Sequence, residues 1–342
     1  MFPNIHDKLC LTSIGHYKKW NMAFILLLCS LILVSFTSLY ISKSLLPLIM
    51  AQNQTFQPSS LSNISTTDDA FGISEIYPTK ENGREWYMNM SRPENDSLVS
   101  ITFDPNITRN TDGSWRVSYP HLRFNVDTPS GMEQWKNVEM TGYVRVVSTN
   151  SSILTLNNTT DNLEDDDDDE SDIAWYARGG KRNSEVPCEG TAYFGGIHPE
   201  GTVRWKKSIW WTGGYTEERF GHKVTDPLIG KWIGWKVVMY DIVLSNNTTA
   251  VKLESYLDLD NNGSWTKVTD IIDSGGWYAR TPDAEFLSAG CGKPKDYVVT
   301  NSGPIATFRA DYMILDFRDL SIREIQPSSS FNLTSTYRML ES

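Results

Sequence analysis

Four short segments place tyrosine or cationic side chains at alternate positions. Tyr143 and Arg145 alternate with Val144 and Val146, and Tyr176 and Arg178 with Trp175 and Ala177. Arg204 and Lys206 alternate with Val203 and Trp205, and Thr307 and Arg309 with Ala306 and Phe308. In a β-strand such alternation sends one set of side chains to each face. On adjacent strands these residues form one basic, tyrosine-bearing surface. An arginine fork pairs bidentately with a carboxylate, and an aromatic ring stacks on the apolar side of a sugar, so the surface suits an acidic sugar polymer. An ordinary solvated strand face with cross-strand ion pairs gives the same pattern.

His198, in FGGIHPEGTVRW, adds a second chemistry. Near Tyr176, Tyr193, Arg178 or Arg204 it completes a β-elimination set: arginine neutralises a uronate carboxylate, His or Tyr takes the α-proton, and Tyr protonates the leaving oxygen. A loop histidine with no such role is the plainer reading. His222, in RFGHK, has less context still. Hydrolysis by paired carboxylates needs two acids facing each other across a cleft, and no strand offers that spacing convincingly.

Asp258, Asp260 and Asn262, followed by Gly263, resemble the opening of a calcium loop, but Thr269 stands where the bidentate glutamate belongs. Asn-Asn-Gly between two strand-like runs also reads as a hairpin turn. No cofactor is required by any of these patterns; Ca2+ is the only ion they suggest. Of the four cysteines, Cys10 and Cys29 lie near the N-terminus, leaving Cys188 and Cys291 as an expected disulfide in an exported domain.

The elements that must position these residues are strands. Trp115–Phe124, Val138–Ser148, Ile173–Arg178, Val203–Trp211, Trp232–Leu244, Val251–Leu259, Trp265–Ile272, Ile305–Ala310 and Met313–Ile325 are apolar or alternating runs separated by Gly, Asn and Pro. Helical periodicity is nowhere sustained. In VKLESYLDL, Val251, Leu253, Leu257 and Leu259 oppose Lys252, Glu254, Tyr256 and Asp258, which predicts one buried and one wet face. The Gly-Gly pairs at 179, 195, 213 and 275 read as turns.

The 342 residues carry a formal net charge of -11, much of it in the run Asp165 to Glu170. That acidity argues against a nucleic-acid partner, which needs a basic footprint. Residues 22–50 contain MAFILLLCSLILVSFTSLYI behind Lys18 and Lys19, long enough to span a bilayer and oriented with the N-terminus inside. We read 1–21 as cytoplasmic, 22–50 as a signal anchor or signal peptide, 51–70 as a flexible linker, and 71–326 as the β-domain. A disordered acidic loop is expected near 155–171 and a tail at 327–342. The chain is thus expected at the cell membrane, single-pass, with an extracytoplasmic domain, or secreted if the segment is cleaved. Asn-x-Ser/Thr triplets from Asn53 to Asn332 agree with export.

The closing segment, SGPIATFRADYMILDFRDLSIREI (302–325), resembles the last strands of concanavalin A-like jelly rolls, notably the laminin-G-like group and the 3-keto-disaccharide hydrolase domain. The matching residues are Gly303, Pro304, Ile305, Phe317, Arg318, Leu320, Ile322, Arg323, Glu324 and Ile325. WKNVEMTGYVRV (135–146) and GKWIGWKVVMYDI (230–242) are similar to an early and a central strand of that fold. The stretches WYARGG, PCEGTAY and DSGGW resemble microbial surface proteins. The resemblance spans roughly 115–326 and implies an all-β, two-sheet antiparallel jelly-roll sandwich; with the apolar run at 22–41 the expected chain is that sandwich preceded by one N-terminal transmembrane or signal helix. It implies a glycan cleft on one face; no catalytic residue of the hydrolase can be matched. The leading expectation is a cell-surface protein that binds a polysaccharide or other glycan, possessing Tyr143, Arg145, Tyr176, Arg178, Arg204, Lys206 and Arg309 as its contact set. A polysaccharide lyase using His198, Tyr176 and Arg178 is the first alternative. A non-catalytic structural or adhesive envelope protein is the second.

Overall fold

The computed structural model describes residues 67–102, 105–149, 172–180, 190–209 and 214–327. The expected membrane segment, the acidic run, Cys188 and nearly all of the C-terminal tail fall outside them. Among the described residues no helix is long and apolar enough to cross a membrane.

The described fold is all-β. Its strands are β1 (Glu85–Tyr87), β2 (Val99–Thr102), β3 (Asn106–Arg109), β4 (Trp115–Asp127), β5 (Val138–Thr149), β6 (Asp172–Gly179) and β7 (Ala192–Ile197). After them come β8 (Thr202–Ser208), β9 (Arg219–Lys223), β10 (Trp232–Val243), β11 (Thr249–Asp258), β12 (Thr266–Asp273) and β13 (Ile305–Glu324), with one short helix, α1 (Asp283–Ser288). All pairings are antiparallel, in the order β12-β11-β10-β5-β13-β6-β7-β8-β9.

Strand β13 joins two layers. Its first half, Ile305 to Asp311, lies between β4 and β6; from Met313 it pairs with β5. The change falls at Tyr312, whose φ of 50° is left-handed. The two runs expected at 305–310 and 313–325 are therefore one bent strand. Layer one is β2, the second half of β4, the first half of β13, then β6 to β9. Layer two is β5, β10, β11 and β12 beside the second half of β13.

The layers pack through large aromatic residues. Trp135, Trp175, Trp205 and Trp235 are each under 2 % exposed. Burying one such ring stabilises by about 1.5–3 kcal/mol or more. Trp205 Nε1 donates to Thr269 Oγ1 at 2.9 Å, tying β8 to β12. Gly195, expected in a turn, sits instead within β7, because an added Cβ would lie 2.9 Å from the Val237 methyls of the opposite layer. Only glycine allows that approach.

Layer two departs from the expected wet face. Val251, Leu253 and Leu257 do face the core, and Leu259 lies beyond the strand, 46 % exposed. Lys252, Glu254, Tyr256 and Asp258, however, are also buried. Part of their face lies under residues 67–79, so the fold already includes Asp69, which is buried and bonded to Ile73 N at 2.9 Å. Glu139, fully buried, accepts from Lys236 Nζ at 2.8 Å, Arg323 Nη2 at 3.0 Å and Ile76 N at 3.1 Å. Arg323 Nη1 also reaches Glu75 at 3.1 Å. Tyr77 Oη donates to Glu254 at 2.8 Å. Buried charges persist only when paired in this way.

Candidate functional site

On the face of layer one turned away from the core, the strand register builds a grid. One row runs Asn125, Thr307, Tyr176, Phe194, Lys206 across β4, β13, β6, β7 and β8. The next runs Arg123, Arg309, Ala174, Gly196, Arg204. A third holds His121, Asp311 and Asp172. His198 follows Ile197, the partner of Ile173, and so extends this row just past β7. Directly opposite side chains on adjacent strands stand about 5 Å apart.

Tyr176, Arg204, Lys206 and Arg309 are thus brought together as the alternation predicted. Their neighbours Phe194, Arg123, Asp172 and Asp311 were missed by the sequence reading. Phe194 lies opposite Tyr176, with ring centroids 4.5 Å apart, and meets Tyr215 edge-on at 5.9 Å. Lys206 Nζ lies 5.2 Å from the centre of the Tyr215 ring. Gly196 has no side chain, and Arg204 crosses that position to meet Asp172 at 2.8 Å. Arg204 also pairs with Glu218 at the exposed rim. Asp311 takes Arg309 Nε at 2.5 Å, the Arg123 fork, and His121 Nδ1 at 3.2 Å.

Burial alone would raise the Asp311 carboxyl, but the Arg309 and Arg123 guanidinium groups hold it well below the usual carboxylate range. Asp172 behaves the same way: burial opposes ionisation, and Arg204, Arg309, His198 and Lys206 outweigh it, so the acid is held low. Arg309 is held above its ordinary value by Asp311 and Asp172 despite its own burial. Four cations face two buried carboxylates here. The four expected contact residues are not open, at 5, 8, 4 and 7 % exposure for Tyr176, Arg204, Lys206 and Arg309.

The other expected contacts lie elsewhere. Arg178 has a left-handed φ of 76° in an irregular part of the β6–β13 ladder and is fully buried. Its guanidinium bonds Asp241 Oδ1 at 2.7 Å, Val299 O at 2.8 Å and Asn137 Oδ1 at 3.1 Å, so it holds loops together inside the fold. Tyr143 and Arg145 belong to layer two: Tyr143 donates to Asp258 at 3.0 Å, and Arg145 binds Asp316 at 2.6 Å beneath the Trp232 ring. Of the elimination set, Arg204 lies in the row beside His198, but neither of its tyrosines joins them: Tyr193 is in the core, donating to Asp273 at 2.6 Å. Tyr176 faces Phe194, four positions from His198 along the strand, which is about 13 Å, and Arg178 has left the face.

Asp258, Asp260 and Asn262 form a hairpin between β11 and β12. Asp258 accepts from Asn262 N at 3.2 Å, Gly263 N at 2.8 Å and Tyr143 Oη, while Asp260 is exposed. Among the described residues no group of three or more His, Cys, Asp or Glu side chains is arranged to hold a metal ion. Cys291 sits half-buried beside Ile209, Ala279 and Phe286; its expected partner Cys188 falls outside the described residues.

No family model and no curated protein sequence matches the chain. Solved structures similar to it include a Bacillus subtilis protein with a galectin-like fold, at 8% identity and a TM-score of 0.39, covering 74% of this chain and 100% of that one. An alginate lyase is similar at 12% identity and a TM-score of 0.30, covering 65% and 87%. A carbohydrate-module domain of the evolved Dit protein of Lactobacillus casei phage J-1 is similar at 8% identity and a TM-score of 0.34, covering 72% and 98%.

Proposed function

We propose that the chain is a cell-surface jelly-roll protein that binds an acidic glycan through the outer face of layer one, tethered by residues 22–50. One observation carries this reading: the register sets Tyr176, Phe194 and Lys206 in one row and Arg123, Arg309 and Arg204 in the next. Aromatic rings beside an excess of arginine and lysine are what a chain of carboxylated sugars requires.

The test is retention of the purified protein on immobilised uronate-containing and neutral polysaccharides, with absorbance of unsaturated products read in parallel. Retention on the acidic polymers alone, weakened by salt and by Lys206→Met, is the expected outcome. No retention on any polymer ends the proposal, and new absorbance replaces it with a lyase. The burial itself favours a second reading: the ion pairs of Asp311 and Asp172 make this face an internal polar layer of a structural or adhesive envelope protein.

A further inference from the structure

Twelve asparagines in the chain begin Asn-x-Ser/Thr triplets, and six of these lie among the described residues: Asn89, Asn95, Asn106, Asn246, Asn247 and Asn262. All six are exposed, and so is every Ser or Thr two positions on. Of the described asparagines outside such triplets, Asn82 and Asn261 are exposed as well, Asn110, Asn137 and Asn301 are half-buried and Asn125 is buried, so exposure alone does not single out the triplets.

Three of the six share a further geometry. The side-chain oxygen of Asn89 accepts from Ser91 N at 3.0 Å, that of Asn246 from Thr248 N at 3.1 Å, and that of Asn262 from Ser264 N at 2.9 Å. Thr248 Oγ1 donates to Asn246 as well, at 2.6 Å. In each case the partner is the hydroxyl residue of the triplet. Bonding at the oxygen fixes the amide of an exposed residue and leaves the nitrogen outside that bond. It also draws electrons from the amide, which acidifies the N–H.

We infer that Asn89, Asn246 and Asn262 are N-glycosylated, in preference to Asn95, Asn106 and Asn247. The inference rests on export, as proposed above. The acceptor Nδ2 attacks the anomeric carbon of a sugar carried on a lipid diphosphate. The N–C bond forms, the C–O bond to the diphosphate breaks, the proton leaves Nδ2 to a base of the transferase, and the lipid diphosphate departs. Nothing is oxidised or reduced. Asn246 and Asn262 lie in the β10–β11 and β11–β12 connections, and Asn89 just after β1. None of the six lies on β6 to β9, so the attached sugars leave the Tyr176 face bare.

The experiment is glycopeptide mass spectrometry of the full-length chain isolated from its own cells. Sugar mass on the Asn89, Asn246 and Asn262 peptides, with the other three unmodified, is expected. All three bare, or modification spread evenly over the six, overturns the inference. A variant with Asn89, Asn246 and Asn262 all changed to Gln reads the same claim by gel mobility. Its apparent mass is expected to fall by the mass of three sugar chains with an unchanged circular dichroism spectrum, whereas undiminished apparent mass overturns it. Neither readout depends on polysaccharide retention, so each proposal fails separately.

Discussion

Asp311→Asn separates the glycan reading from the purely structural one. The carboxylate is 1 % exposed and neutralises Arg309 (7 %) and Arg123 (12 %). Removing one partner of a buried ion cluster costs about 3–5 kcal/mol, because the remaining charge is stranded. Arg123 and His121 reach the rim and can rehydrate, which places the loss near the lower end, about 3 kcal/mol. With a urea slope near 3 kcal/mol per molar, the midpoint should fall by roughly 1 M at unchanged slope. Asp311 is held below its ordinary range, so its contribution is fully present above the unfolded carboxylate value, about 3.9, and is lost as pH falls below that toward the folded value. The wild-type and variant midpoints should therefore differ by a constant amount from pH 5 to 8 and converge in stronger acid. The binding arm moves oppositely: one fewer negative charge on the face should strengthen retention on uronate polymers. A midpoint shift under about 0.2 M, corresponding to less than about 0.6 kcal/mol, would refute the ion-cluster argument. Unchanged retention of a folded variant would refute the glycan argument alone.

Three further outcomes follow from the packing. Gly195→Ala forces a methyl against Val237 and the Trp205 ring and should lower stability by about 1–3 kcal/mol in thermal or urea unfolding, whereas Gly113→Ala, with open space but positive φ, tests strain without crowding. Glu139→Gln removes the carboxylate shared by Lys236 and Arg323, should cost roughly 3 kcal/mol, and should render residues 67–79 cleavable by protease before the sandwich melts; replacing Lys236 by Met in the same chain should recover much of the loss. Peptide mapping without reductant should recover Cys188 joined to Cys291, and reduction should lower stability by about 2–4 kcal/mol.

Alternation alone determined that the chain beyond residue 114 is built from strands, and the edges of most of the long ones. It also set Arg204 and Lys206 on one side of their strand, because a period of two is a property of the local chain; strand pairing brought Tyr176 and Arg309 to the same face. It did not place Tyr143 and Arg145, which carry the same pattern on the other layer, since alternation says nothing about which strands become neighbours. Arg178 left its predicted face through a single left-handed residue, a local irregularity that periodicity averages away. Weakly patterned β7, with Gly195 and Gly196, looked like a turn because its requirement is empty space beneath Val237 and Trp205, which exists only after two layers meet. The buried charges of layer two gave no sign of their burial either. Lys236 and Arg323 are neutralised by Glu139, and Arg323 also by Glu75, and these partners are distant in sequence and meet only in the folded chain. Which side chains alternate is settled by bond geometry along one strand; which of them are charged, shielded or shared is settled by long-range pairing, and that belongs to the tertiary structure.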